Sequence, residues 1–252
     1  MLVTGGTGEI GLAIARAFLD RGARVAVVGA HAERVEAART KLASFSGRVL
    51  ELAADLRTAS EVARTVDEVE SRFGPIAVLV NGAGLNFNLA IDEVTEADYD
   101  RLMETNLKSA FFASQLAGRR MAAKGIAGRI VNITSGNYRY ARPNAALYAA
   151  SKAAMEMLTR SFAIELGASG ITVNAVAPGL VARAGEPPPE FTRIADYYAA
   201  NSPLGRLVRP EDVAAAVAFL ASVEAAGITG ETIVVDGGFS AGRYDFPRRS
   251  QR

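Results

Sequence analysis

Cysteine is absent from the 252 residues, which excludes disulfides, a thiolate nucleophile and a cysteine metal site. Histidine occurs once, at His31, so a histidine-rich metal centre is excluded and a Ser-His-Asp triad would have to use that residue. No uninterrupted apolar run reaches the roughly 18 residues a membrane helix needs. Neither sign of charge is in excess: 28 basic and 27 acidic side chains leave +1, too little to build a basic field for nucleic acid. Met1-Leu2-Val3 leads straight into a glycine cluster, without the basic region and apolar core of a signal peptide. The expectation is a cytoplasmic protein with no metal, no nucleic-acid partner and no membrane.

Half of the residues are apolar, enough at this length for one domain with a large core. Short β-rich runs recur at 1–4, 24–28, 48–52, 77–81, 129–134, 171–177 and 231–236. Between them lie stretches with helical spacing, such as Ile10, Ile14 and Phe18, or Val213, Val217 and Leu220. The latter helix should start at Pro210, with Glu211 and Asp212 in its first turn. Such alternation predicts an α/β fold: a Rossmann-like, doubly wound parallel sheet of about seven strands with helices on both faces. Gly185-Glu186-Pro187-Pro188-Pro189 interrupts the pattern and opens a long loop, with a short helix expected around Phe191 to Asn201.

Two motifs carry chemistry. Thr4-Gly5-Gly6-Thr7-Gly8-Glu9-Ile10-Gly11 lies between the first strand and the first helix, where glycines permit close backbone approach and free helix N–H groups can receive a phosphate. A purely structural turn is the alternative. Tyr148-Ala149-Ala150-Ser151-Lys152 puts a phenol and an ammonium on one helix face, four residues apart. A nearby cation should lower the tyrosine pKa and make it a usable proton donor or acceptor, although an ordinary pair on an alanine-rich helix would look the same.

In order and spacing, these motifs together with Asn81-Gly82-Ala83-Gly84, Asn106, Ser135 and Asn174-Ala175-Val176-Ala177-Pro178-Gly179 resemble those of the short-chain dehydrogenases/reductases. The likeness is to the single-domain branch that includes the 3-oxoacyl-carrier-protein reductases, and it runs from Met1 to about Phe239. It implies a domain over residues 1–240 with a substrate lid at about 183–209, and a flexible tail at 241–252. It implies hydride transfer between a nicotinamide cofactor and a carbonyl or secondary alcohol, within the class of enzymes acting on CH–OH groups. Tyr148 would exchange the proton with the substrate oxygen, and Ser135 would hydrogen-bond that oxygen. Lys152 would hold down the tyrosine pKa and touch the nicotinamide ribose, and Asn106 would hold a water linking Lys152 to solvent.

The same resemblance implies a cofactor site. Gly5, Thr7, Gly8 and Ile10 would form the phosphate turn, Asp55 and Leu56 would hold the adenine, and Asn81 and Ala83 would lie beneath the cofactor. Pro178, Gly179 and Val181 would meet the nicotinamide end. NAD binders usually carry an acid at the end of the second strand. Here Val28-Gly29-Ala30-His31 has none, and His31 and Arg34 could face a 2′-phosphate, so NADP(H) is favoured over NAD(H).

Three departures stand out, of which Gly82, in place of a second asparagine, is expected to be tolerated. Glu9 replaces a glycine of the family turn. Within about 6 Å of a pyrophosphate its carboxylate would be repelled by roughly 3 kcal/mol, so it is expected to point to solvent. Arg183 replaces a common threonine, and either binds an anionic group of the substrate or lies in solvent.

The substrate should be a small molecule, and Tyr138, Arg139, Tyr140, Arg142, Tyr197 and Tyr198 could suit a polar, aromatic or anionic ketone. A catalytically silent nucleotide-sensing protein, or a sugar-nucleotide epimerase or dehydratase, are the alternatives on the same fold. The resemblance further implies a homo-oligomer, a tetramer or dimer, built through the helices beginning near Thr95 and Leu147 and through the last helix and strand.

Overall fold

Alternation of apolar side chains along consecutive strands divides the core into two layers. In the computed structural model, which describes residues 1–185 and 188–242, seven strands form one parallel sheet in the order β3-β2-β1-β4-β5-β6-β7. They are β1 (Leu2–Thr4), β2 (Val25–Gly29), β3 (Val49–Ala53), β4 (Val78–Asn81), β5 (Arg129–Ile133), β6 (Thr172–Pro178) and β7 (Thr232–Val235). Leu2, Ala26, Val28, Leu79, Ile130 and Val173 face one side, where helices α3 (Ala59–Phe73), α5 (Ser109–Ala123) and α6 (Ala146–Leu166) cover them. Val3, Val25, Val27, Val80, Val131 and Val176 face the other, against α1 (Glu9–Leu19), α2 (Ala32–Leu42) and α8 (Pro210–Leu220). Burial on both faces is why these runs read as continuous apolar segments.

Helix starts follow local chemistry. Thr58 accepts the Glu61 amide at the head of α3, and a Thr95–Asp98 capping box opens α4 (Glu96–Met103). The helix expected as one long rod from Thr95 is broken at Glu104–Lys108 by a π-helical turn before α5 begins. Pro189 takes the first position of α7 (Pro189–Ala200), where its missing N–H costs nothing. Glu186, Pro187 and the expected tail at 243–252 lie outside the described residues. Among the described residues no helix is long and apolar enough to cross a membrane.

Strand order reverses between β1 and β4. Loops leaving their carboxyl ends diverge there and leave a crevice, the usual ligand position in an open α/β sheet.

Candidate active site

The crevice is a cavity of ≈ 790 Å³. Its walls include Gly5, Thr7, Gly8 and Ile10 from the glycine turn, His31 after β2, Asp55 and Leu56 after β3, Ala83 after β4, and Gly179 and Val181 after β6. Gly5 sits at φ +64°, and a Cβ there would collide with the Gly82 carbonyl. A Cβ on Gly11 would collide with the Gly5 carbonyl, whereas one on Gly8 meets nothing closer than 3.5 Å. No side chain caps α1 at Gly8, so its first-turn amides remain free to meet an anion. A backbone cradle with uncapped donors fits the pyrophosphate of a dinucleotide. Thr4, not singled out from sequence, ties the two strand ends together: its buried hydroxyl accepts the Gly82 and Ala83 amides at 3.2 Å each.

At the β2 end, a Cβ on Gly29 would run into the Thr7 side chain, which explains in steric terms why no acid stands there. His31 and Arg34 are exposed and line the cavity, with Arg57 beside them. Arg57 holds both oxygens of Asp55, as near as 2.6 Å, and that hydrogen-bonded pairing keeps the Asp55 carboxyl below its usual range.

Asn81 does not line the cavity. Its buried amide donates instead to Ser114 Oγ (2.9 Å) and Asn132 Oδ1 (2.8 Å), and Asn132 donates on to Thr159 (2.9 Å), a polar relay from β4 through β5 to α6.

Four side chains converge around the ends of β4 and β5. Asn106 lies on the π turn, fully buried; its Oδ1 accepts the Leu85 amide at 2.7 Å, and its Nδ2 donates to the Leu85 carbonyl and Ser151 Oγ, each at 3.0 Å. A π turn shifts the helix register by one residue, a distortion frequent at functional sites. Gly84 separates Asn106 from Lys152: a Cβ placed on it would stand 3.6 Å from both Asn106 Oδ1 and Lys152 Nζ. Ser135 stands two residues past β5 and heads the short turn 136–138, its Oγ accepting the Asn137 amide at 3.3 Å. Tyr148 and Lys152 occupy the first turns of α6, and neither lines the cavity; nor do Ser135 and Pro178.

The expectation that Lys152 lowers the Tyr148 pKa does not hold in this structure. Burial pushes the phenol up, opposed by a hydrogen bond with the Ser135 side chain and by the charge of Arg142. Lys152 Nζ instead donates to the Ile133 carbonyl at 2.9 Å, 5.8 Å from the centre of the Tyr148 ring. Its own pKa falls to about 8, because burial strips water from the ammonium. Arg142, half-buried, contributes a smaller opposing effect through its charge. Its loop is pinned by the Leu89 amide on the Asn144 carbonyl (3.1 Å), with Asn144 in the left-handed region at φ 59°.

Glu9 is exposed as expected, but it is not free. Its Oε1 accepts the Ala184 amide at 2.8 Å, joining the glycine turn to the connection after β6. Arg183 is exposed beside it with its guanidinium 4.5 Å from the Phe191 ring centre, and both residues line the cavity. Tyr197 and Tyr198 pack on Phe239, the latter stacked at 4.2 Å, and burial, reinforced by the nearby Tyr198, pushes the Tyr140 phenol up.

The reversed strand order, the glycine cradle and the Tyr148–Lys152 helix define a dinucleotide-binding oxidoreductase architecture. Comparison with known proteins agrees. The family model described as Enoyl-(Acyl carrier protein) reductase matches residues 6–240. Gluconate 5-dehydrogenase of Gluconobacter oxydans (strain 621H) is 33% identical over 246 residues, covering 95% of this chain and 93% of that protein. Cis-4-hydroxycyclohexanecarboxylate dehydrogenase of Sinomonas cyclohexanicum is 38% identical over 244 residues, with 95% and 96% covered. The crystal structure of a gluconate 5-dehydrogenase from Burkholderia cenocepacia J2315, in complex with NADP and tartrate, superposes with a TM-score of 0.86 at 30% identity, covering 96% of this chain and 95% of that one. The chain belongs to the short-chain dehydrogenase/reductase family and is an NAD(P)-dependent oxidoreductase.

Proposed function

We propose that the enzyme interconverts a carbonyl and a secondary alcohol with Tyr148 as its acid/base. The observation that carries this reading is Tyr148 and Lys152 one turn apart on α6, with Lys152 and the buried Asn106 against Gly84, which lines the glycine-cradled cleft. A nicotinamide dinucleotide, when bound, supplies or accepts the hydride. In reduction Tyr148 gives its phenolic proton to the substrate oxygen; in oxidation it takes that proton back. Ser135 donates to the same oxygen and stabilises the charge that develops on it. Lys152 returns the proton to Tyr148, and Asn106 holds the water that connects Lys152 to solvent. Residues 1–240 form the catalytic domain, with 183–209 as its lid.

We favour NADP(H). Thr7 fills the space a carboxylate at Gly29 would need, and His31 and Arg34 line that end of the cavity. For the substrate we favour a hydroxy or oxo compound bearing an acid group. Arg142 acts on the Tyr148 phenol and Arg183 lines the cleft, neither with a carboxylate partner among the described residues. Two of the relatives are named for gluconate and for a cyclohexanecarboxylate, and the solved neighbour holds tartrate. We place the enzyme in the cytoplasm as a homo-oligomer.

The test is a panel of acidic and neutral ketones and alcohols with NADPH and NADH, using Tyr148→Phe as control. A general acid/base contributes about 10²- to 10⁴-fold, so Tyr148→Phe is expected to lose at least about 100-fold in kcat. Undiminished turnover in that variant overturns the mechanism, and a lower Michaelis constant for NADH overturns the cofactor preference. Net cofactor consumption separates this reaction from epimerisation.

A further inference from the structure

We infer that Glu9 is a positioning residue: its carboxylate clasps the connection after β6 to the phosphate turn and so governs how fast the nicotinamide cofactor enters and leaves. This rests on the reading of the cleft as a dinucleotide site. The bond that makes the clasp joins residues 175 apart in sequence, Glu9 Oε1 accepting the Ala184 amide at 2.8 Å. Both sides of the clasp line one cavity, Glu9 at the head of α1 and Arg183 next to the donor.

The rest of the connection is already held. Ala182 donates to the Val208 carbonyl at 2.7 Å, and Val208 donates to the Leu180 carbonyl at 3.3 Å. Arg183 rests on Phe191. The Ala184 amide is the next donor along this ribbon, and in a chain with glycine at position 9 it would have no carboxylate to meet. The departure from the family turn therefore has a use: it replaces a flexible residue with an acceptor.

The clasp has two effects that act on different rate constants. While formed, it keeps the connection over the bound cofactor and slows release. The same negative charge beside the phosphate turn opposes an arriving dinucleotide and slows association. Removing the side chain should therefore raise both rates, and the dissociation constant should move less than either. Glutamine keeps an oxygen acceptor and loses the charge, so it should raise association alone.

Stopped-flow fluorescence of NADPH with the wild type, Glu9→Ala and Glu9→Gln tests this, together with hydrogen exchange at the Ala184 amide in the cofactor-free proteins. Glu9→Ala is expected to release NADPH about ten-fold faster, the effect of losing one hydrogen bond. Its Ala184 amide should exchange faster, while Glu9→Gln stays near wild type in both. Normal binding with unaltered release and unaltered exchange in Glu9→Ala overturns the clasp alone. A wild-type chain that binds neither NADPH nor NADH overturns the cofactor reading along with it.

Discussion

Lys152 holds its charge where the surroundings penalise it. The side chain is 4% exposed, and its ammonium meets a backbone carbonyl and the Met155 sulfur rather than a carboxylate. Below about pH 8 both the folded and the unfolded chain carry the proton, and folding bears the full desolvation cost. Between about 8 and 10.5 only the unfolded chain keeps it, so stability rises with pH across that window and the cost is gone above it. The shift corresponds to roughly 3 kcal/mol at neutral pH. Lys152→Met is therefore expected to melt several degrees higher than the wild type at pH 7 while losing activity, with the gap closing towards pH 10. Calorimetry across that range checks it, and a lower Tm for the variant at pH 7 would contradict the desolvation argument.

Arg142 makes a complementary case at the same scale. Among the described residues it is half-buried yet has no carboxylate partner, and its field reaches both Tyr148 and Tyr140. Arg142→Gln should raise KM for an acidic substrate about ten-fold, the size of a charge-assisted contact, and leave KM for a neutral ketone within about two-fold. Equal losses on both substrates would remove Arg142 from substrate recognition.

The π turn at Glu104–Lys108 is the element on which the site geometry turns. Asn106 satisfies both backbone groups of Leu85 and the hydroxyl of Ser151, so it ties α5, the loop after β4 and α6 together. Asn106→Ala leaves the Leu85 amide without its acceptor, and chemical denaturation should show a loss of about 1–3 kcal/mol. A local distortion of this kind has no signature in the residues that form it. The sequence reads there as ordinary helix, and only contacts with Leu85 and Ser151, 21 and 45 residues away, account for the change. The strands were legible for the opposite reason. Each is a short β-rich run bounded by turn residues, and the observed boundaries differ from the expected ones by a residue or so. The direction of the Tyr148 shift was illegible as well: spacing on a helix sets which face two side chains share, but not how much water either keeps.

At the scale of the whole molecule, several apolar side chains on α5 and α6 are exposed among the described residues. Phe111 is 38% exposed, Met157 59% and Ile164 82%. α6 begins where an oligomer contact was expected, and α5 follows the helix expected from Thr95 after the π turn; exposed apolar side chains on these helices are compatible with an interface. Ile164→Asp should shift the enzyme to a smaller species by light scattering with its sheet intact. An unchanged mass would exclude this face. The glycine turn and the β6 end, far apart in the chain, were legible as one site only through the family resemblance; in the structure both follow the carboxyl ends of strands and line one cavity.

The Thr7 side chain lying over Gly29 bears on how this protein can change. An aspartate at 29 asks the Thr7 side chain to move aside before the new carboxylate can reach a ribose, so a switch of coenzyme is expected to couple these two positions.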